Sequence, residues 1–379
     1  MSEPITIIEL RDTYEVGGPG KTIIETFRAL DPDRFRCHLA VFLASGETGQ
    51  TPFVRAAQAC GMPVHFIRGV NRYDPRLVLE LASLSRRLRA DIVHAHEVKS
   101  DAIAYLASRA RRVSIVTTLH GWIGNSWKQR ALIALDRRLV PRFDAVIAVS
   151  GRIRDEAAAA GVPSDRLHLL HNAIVVERYH RTGDTGFLRQ LIGRDLPSPI
   201  VVSIGRLSPE KGHADLIDAL GIAAARGRCL STVLVGDGPE RSRLLEKIKS
   251  LNLEGSVHLV GHVESPERVL QEVDLMVLPS HTEGLPNAAL EALVMEVPVL
   301  ATNVGGTPEV VRDGDTGGLV EPRTPAALAA ALIDFAIDPS KWKLMAVRGR
   351  RLVESQFDFR ARTRALESLY LNTVERTRR

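Results

Sequence analysis

The sequence predicts an α/β protein built from two consecutive doubly wound domains, each a parallel sheet covered by helices. Three observations carry this. Short β-branched apolar runs alternate with longer amphipathic stretches, the pattern of repeated βαβ units. The alternation breaks once, near residues 176–199, and then restarts. The chain has 379 residues, the length of two ordinary domains.

In the first half the strand runs are residues 5–10, 37–43, 64–68, 91–96, 114–120, 145–150 and 167–170. Helical patterns fill 21–30, 52–60, 75–89, 99–109, 126–139 and 152–160. A first domain is therefore expected over 1–175. Residues 176–199, with glycines, prolines and mixed charge, read as a linker. Strand runs resume at 200–205, 232–236, 257–260, 275–279, 298–302 and 318–320, and define a second domain over 200–357. The tail from 341 to about 376 reads as helix broken near Asp358. Trp342, Leu344, Met345, Leu352, Phe357 and Leu366 form its expected apolar stripe.

Composition narrows the function classes. Hydrophobic residues make up 45% and charged residues 25%, which excludes a disordered chain. A net charge of +5 is too small to argue for a nucleic-acid binder, but suits an anionic substrate or membrane surface. Cys37, Cys60 and Cys229 have neither metal-ligand nor redox spacing, as expected of thiols in a reducing compartment. The N-terminus lacks the basic start and apolar core of a signal peptide, and no uncharged run is long enough to span a bilayer. A cytoplasmic location follows as the expectation.

In doubly wound sheets ligands bind beyond the carboxyl ends of the strands, so chemistry is sought just after strands. Gly17-Gly18-Pro19-Gly20-Lys21-Thr22 opens a helix after the first strand. It is not a P-loop, because Glu15 stands where that motif needs glycine. It reads either as phosphate contact through Gly18 and Gly20 or as a tight turn. His120 ends a strand in Thr118-Leu119-His120-Gly121 and is placed to reach a ligand or to close the strand. His94 and His96, with Glu97, end another strand, but no third metal ligand is evident and no metal site is expected.

Arg206 and Lys211 bracket a strand-to-helix turn in Gly205-Arg206-Leu207-Ser208-Pro209-Glu210-Lys211-Gly212. Two cations at a helix N-terminus are unfavourable unless an anion lies between them, and a diphosphate would supply it. Solvated surface cations are the competing reading. In Glu283-Gly284-Leu285-Pro286-Asn287-Ala288-Ala289-Leu290-Glu291, Pro286 suits a helix start whose free N–H groups can face a phosphate. Glu291 then lies one turn past Asn287. Glycine turns also end strands at Gly236-Asp237-Gly238, Gly261-His262-Val263 and Gly305-Gly306-Thr307-Pro308-Glu309.

Taken together, Gly205-Arg206-Leu207, Glu210-Lys211-Gly212, Val235 to Glu240, Val260 to Val263, Glu283-x7-Glu291 and Gly305 to Glu309 resemble the retaining glycosyltransferases of family 4, with the GT-B fold. The first half is similar through Gly17–Gly20, Asp91 to His96, Thr118 to Gly121, Ala148 to Ser150 and His171 to Ala173. The resemblance implies two Rossmann-like domains facing across a cleft, with the last segment, 358–379, crossing back to the first domain. It implies transfer of a sugar from a UDP- or GDP-sugar to a sugar or lipid-linked acceptor of polysaccharide synthesis, with retention and without metal or other cofactor. Arg206 and Lys211 would hold the donor diphosphate, together with Gly18, Gly20 and the backbone at Gly284, Leu285, Pro286 and Asn287. Glu291 would bind the ribose, Val263 and Gly236 would lie at the nucleotide, and Glu283 and His120 would face the sugar at the reacting carbon. One departure is Gly-Pro-Gly-Lys at 18–21, where many relatives carry Ala-Glu or a similar pair; it leaves that loop's phosphate or acceptor contact open.

Two other classes share this architecture: a sugar-nucleotide 2-epimerase and a non-catalytic binding subunit. Glu283-x7-Glu291 favours the transferase. Between residues 101 and 160 lie ten basic residues and five acidic ones. Trp122, Ile123 and Trp127 adjoin the basic run of Lys128, Arg130, Arg137 and Arg138, which suggests contact with an anionic membrane surface.

Overall fold

The structure is a computed structural model; it describes residues 3–12, 17–71, 74–110, 112–122, 127–183 and 185–378. Glu15, Arg111, Ile123 and Ser126 of the sequence reading lie outside the described residues. The chain forms two compact units, Met1–Asn172 with Phe359–Arg379, and Ala173–Asp358.

The first unit runs β1 (Ile5–Arg11), α1 (Gly17–Ala29), β2 (Phe35–Ala44), α2 (Pro52–Ala59), β3 (Val64–Gly69), α3 (Arg76–Arg87) and β4 (Ile92–Ala95). It continues through α4 (Val98–Ala110), β5 (Ser114–Leu119), α5 (Trp127–Leu139), β6 (Ala145–Ala148), α6 (Gly151–Ala159) and β7 (Leu167–Leu169). All strands are parallel, in the order β3-β2-β1-β4-β5-β6-β7. Every residue of β1, β4, β5 and β6 is buried, as a sheet covered on both faces requires. Local capping fixes helix starts: the Thr51 hydroxyl accepts the Val54 N–H at 3.2 Å before α2, and Ser150 accepts that of Ile153 at 3.3 Å before α6.

The second unit runs α7 (Phe187–Ile192), β8 (Ile200–Ile204), α8 (His213–Ala225), β9 (Ser231–Val235), α9 (Arg241–Ser250), β10 (Val257–Gly261) and α10 (Pro266–Leu270). It ends with β11 (Leu275–Leu278), α11 (Asn287–Val294), β12 (Val299–Thr302), α12 (Thr307–Val310), β13 (Gly318–Val320), α13 (Pro325–Ile337) and α14 (Pro339–Gln356). Its parallel strands are ordered β10-β9-β8-β11-β12-β13. The two doubly wound parallel sheets are the α/β architecture read from the alternation.

The last helix, α15 (Phe359–Arg378), completes the first unit. Leu366, Leu369, Tyr370 and Val374 enter the same core as Ile7, Leu39 and Ile23. Arg362 donates to the His171 carbonyl at 3.2 Å and to Thr26 Oγ1 at 3.3 Å.

Two local expectations need correcting. Residues 176–199 are packed onto the second unit: the Glu272 carboxylate accepts the N–H groups of Thr185, Phe187 and Leu188 at 2.7–3.0 Å, and Arg181 donates to the Val273 carbonyl. The apolar stripe of the tail is buried at Trp342, Met345, Leu352, Phe357 and Leu366, but Leu344 is 63% exposed, because it lies on the opposite side of α14.

Candidate active site

In each sheet the strand order reverses once, between β1 and β4 and between β8 and β11. At such a switch point the loops after neighbouring strands diverge to opposite faces and leave a crevice at their carboxyl ends. The candidate residues concentrate there.

In the second unit, β8 leads into Gly205 and Arg206, and a single 3₁₀ turn, Pro209–Lys211, precedes α8. β11 leads through Ser280 and Glu283 to α11, which begins at Asn287 after Pro286. Lys211 Nζ donates to Glu283 Oε1 at 2.6 Å, and Ser280 Oγ donates to the same oxygen at 2.7 Å. The Lys211 and Glu283 side chains are only 30% and 10% exposed, so screening is weaker than at the surface. Arg206 is more open, 57% exposed, and pairs with Glu210 at 3.0 Å. Ser208 Oγ also donates to Glu210, at 2.7 Å.

The loop holding Glu283 is seated by close backbone approach. Gly305 has φ +57°, and a Cβ there would collide with the Glu283 carbonyl. Its neighbour Gly306 donates to the Gly284 carbonyl at 2.8 Å. Gly236, at the end of β9 with φ +139°, packs likewise against the Gly205 carbonyl, where no side chain fits.

Glu291 is 5% exposed on α11 and accepts from the Tyr179 hydroxyl at 3.2 Å. Burial, then the Glu291 charge, pushes the Tyr179 hydroxyl above its ordinary pKa, so it stays a donor. Tyr179 was not singled out in the sequence; its partner is 112 residues away. Asn287 Oδ1 is buried with no hydrogen-bond partner. Leu285 and Pro286 are buried, Gly284 is half-buried, and Val263 is half-buried in the loop after β10.

In the first unit, Gly17–Gly20 forms the first turn of α1 rather than a loop ahead of it. His120 follows β5, half-buried, with its Nε2 closed off and unpartnered. Burial, aided by the charges of His96, Arg11, Arg362 and His94, holds the His120 imidazole well below its ordinary pKa. Its ring stacks on His96 at 5.9 Å between centroids and 21° between planes.

A buried cluster behind His120 revises the reading of His94 and His96. The missing third group is Glu9, from β1: His96 Nε2 lies 2.6 Å and His94 Nδ1 3.5 Å from Glu9 Oε2. The donor atoms of all three lie within 4.8 Å of one another. The set is closed by hydrogen bonds, with Tyr370 Oη 2.7 Å from His94 Nδ1 and 3.2 Å from Glu9 Oε1, and Thr118 Oγ1 2.7 Å from His94 Nε2. Burial raises the Glu9 pKa, but the facing His94 and His96 more than offset this and keep it a carboxylate. His96 is pushed down to about 4, by burial first and then by His94, so it is neutral at pH 7. A charged residue inside a fully buried strand was the available signal, since such a group needs a partner.

The family model described as Glycosyl transferases group 1 matches residues 184–351, and that described as Glycosyltransferase Family 4 matches 16–178. The chain is 31% identical over 306 residues to the N-acetyl-alpha-D-glucosaminyl L-malate synthase of Bacillus anthracis, covering 80% of each. It is 29% identical over 320 residues to the GDP-mannose-dependent alpha-(1-6)-phosphatidylinositol monomannoside mannosyltransferase of Mycolicibacterium smegmatis, covering 79% of this chain and 83% of that one. The crystal structure of Anabaena HepE in complex with UDP and glucose has the same fold, with TM-score 0.85 at 23% identity, covering 96% of this chain and 98% of that one. These matches make the chain a member of the group 1 glycosyltransferases of family 4.

Proposed function

We propose that this transferase moves a sugar from a UDP- or GDP-sugar to a hydroxylated acceptor of cell-envelope or polysaccharide synthesis, with retention and without a metal ion. The observation that carries the reading is the Lys211–Glu283 pair at 2.6 Å, at the switch point of the second sheet. A cation and a carboxylate there suit a diphosphate and a sugar hydroxyl respectively. Lys211 and Arg206 hold the diphosphate and offset the charge that grows on it as it leaves. The N–H groups of Gly284, Leu285 and Asn287, around the start of α11, face the same anion. Glu291, held by Tyr179, takes the ribose hydroxyls, Val263 and Gly236 border the nucleotide, and Glu283 orients the sugar. His120, neutral at pH 7, offers a ring nitrogen near the reacting carbon. HepE was crystallised with UDP and glucose, and the mycobacterial relative uses GDP-mannose by its name, which supports a nucleotide-sugar donor of either base.

A thermal-shift panel of UDP-, GDP- and ADP-sugars in EDTA tests this. The donor should raise stability by about 2.7 kcal/mol at a hundred times Kd, and turnover in EDTA should stay within a few-fold. No stabilisation by any donor, or turnover lost in EDTA and restored by Mg²⁺ or Mn²⁺, would contradict the reading.

One feature favours a lipid-linked acceptor reached at an anionic membrane surface. In α5 only Asp136 is buried, while Trp127 is 74%, Leu135 48% and Leu132 41% exposed beside Lys128, Arg130, Arg137 and Arg138. Trp122 does not share this exposure: its indole N–H is drawn inward to Asp136 Oδ2 at 2.7 Å, under Arg137. Among the described residues no helix is long and apolar enough to cross a membrane. Vesicle sedimentation should show binding to anionic but not neutral lipid at low salt, weakened at high salt and by Trp127→Ser. Equal, negligible binding to both lipids would leave a soluble acceptor.

A further inference from the structure

Buried polar atoms are nearly always hydrogen-bonded, so unpartnered ones mark places where something is missing. Two lie at the switch point of the first sheet, Arg11 Nη1 and His96 Nδ1, and a third, His120 Nε2, follows the neighbouring strand β5. Arg11 is the last residue of β1 and 4% exposed. Its Nε pairs with Glu97 at 3.3 Å and its guanidinium lies over the Phe53 ring at 5.0 Å, which leaves Nη1 unused. Burying a guanidinium with an idle N–H is costly, and burial lowers the Arg11 pKa against the pull of Glu97.

Nη1 is directed at the first turn of α1. A Cβ on Gly20 would sit 2.8 Å from it and 3.1 Å from Phe53. That helix has thirteen residues and no acidic group in its first turn to complement its dipole. Among the described residues the nearby carboxylates are already engaged: Glu97 with Arg11 and the Asp12 N–H, Asp12 with Lys99, and Glu9 with His96 and Tyr370.

The histidines add a second requirement. His96 gives its Nε2 proton to the Glu9 carboxylate, so the neutral ring carries a lone pair on Nδ1. A buried lone pair calls for a donor, such as a hydroxyl. Arg11 is close enough that its charge disfavours protonation of both His96 and His120.

The geometry points to an acceptor site for a hydroxylated anion, in which Arg11 at the first turn of α1 takes a phosphate or carboxylate and His96 Nδ1 takes a hydroxyl. The inference rests on the transferase reading and names the chemical class of its acceptor. It moves Gly18 and Gly20 from the donor diphosphate to the acceptor's anionic group. The donor charge is met in the second unit by Arg206 and Lys211.

Isothermal titration of the full chain at low ionic strength tests it, with inorganic phosphate and L-malate as anionic probes and glycerol as the neutral control. Each titration is repeated with saturating UDP or GDP, whichever binds. At least one anion should bind and glycerol should not. Arg11→Gln and Gly20→Ala should each weaken the anion at least tenfold, with nucleotide affinity within twofold of wild type. Melting curves show that each variant is folded, and Gly20→Ala keeps the test alive if Arg11→Gln does not fold. Three results would overturn the site: no anion binding in a wild type that binds nucleotide, unchanged anion affinity in the variants, or displacement of the anion by the nucleotide, which would return the loop to the donor. Failure of the wild type to bind any nucleotide would count against the transferase reading, and the anion titrations would still decide the site.

Discussion

Lys211→Ala and Glu283→Gln are each expected to lower kcat/KM by about ten- to a hundredfold, the loss of one charge-assisted contact at about 1.5–3 kcal/mol. The two residues should fail differently. Lys211 is the less exposed of the two cations proposed for the diphosphate, and on that proposal its removal takes stabilisation from the leaving group, so kcat falls with kcat/KM. It also leaves the Glu283 carboxylate with Ser280 as its remaining donor. Glu283→Gln keeps the shape and removes the charge proposed to orient the sugar, again a kcat effect. Glu291→Ala should raise the donor KM with kcat little changed, because a ribose contact is equal in ground and transition states. Arg206→Ala should cost less than Lys211→Ala, since Arg206 is 57% exposed. Steady-state kinetics with the donor found by thermal shift read all four. Wild-type kinetics in both Lys211→Ala and Glu283→Gln would remove the site assignment.

Stability should fall steeply between pH about 6.5 and about 4. His96 and His213 are both pushed down to about 4, by burial first and then by a neighbouring cation or imidazole. A histidine with a lowered folded pKa binds its proton more readily when unfolded. The unfolded state therefore carries more protons across this window, and stability is lost as pH drops through it. At about 1.4 kcal/mol per pKa unit, each contributes about 3 kcal/mol, fully present above pH 6.5 and gone near 4. Glu9 has the same sign at lower pH: its depressed pKa gives stability that is present above the ordinary carboxylate range and lost below it. Urea melts at pH 7 and 5 should show a smaller difference in His213→Gln than in wild type. An equal difference would mean His213 is protonated in the folded state at pH 5.

The parts legible in the sequence were those set by local pattern. The strands of both sheets were visible because a parallel sheet buried on both faces leaves continuous β-branched runs. The turn at Gly205–Gly212 and the helix start at Pro286 were visible because glycine and proline have positional meaning. What was illegible depends on distant partners. Residues 176–199 look like a linker because their order comes from Glu272, about 85 residues on, which accepts their N–H groups. Glu9 sits in an apolar run, and its partners are 87 and 361 residues away. Nothing in periodicity links them. Trp122 and Trp127 look alike in sequence, and only the buried Asp136 separates them, drawing one indole inward.

The central claim is that this chain transfers the sugar away from the diphosphate rather than returning it there as an isomer. Proton NMR of the enzyme with its donor alone, and no acceptor, tests this most directly. The account predicts slow release of the nucleoside diphosphate with free sugar by transfer to water, and no new sugar nucleotide. An isomeric nucleotide sugar accumulating without diphosphate release would identify an epimerase and contradict the account.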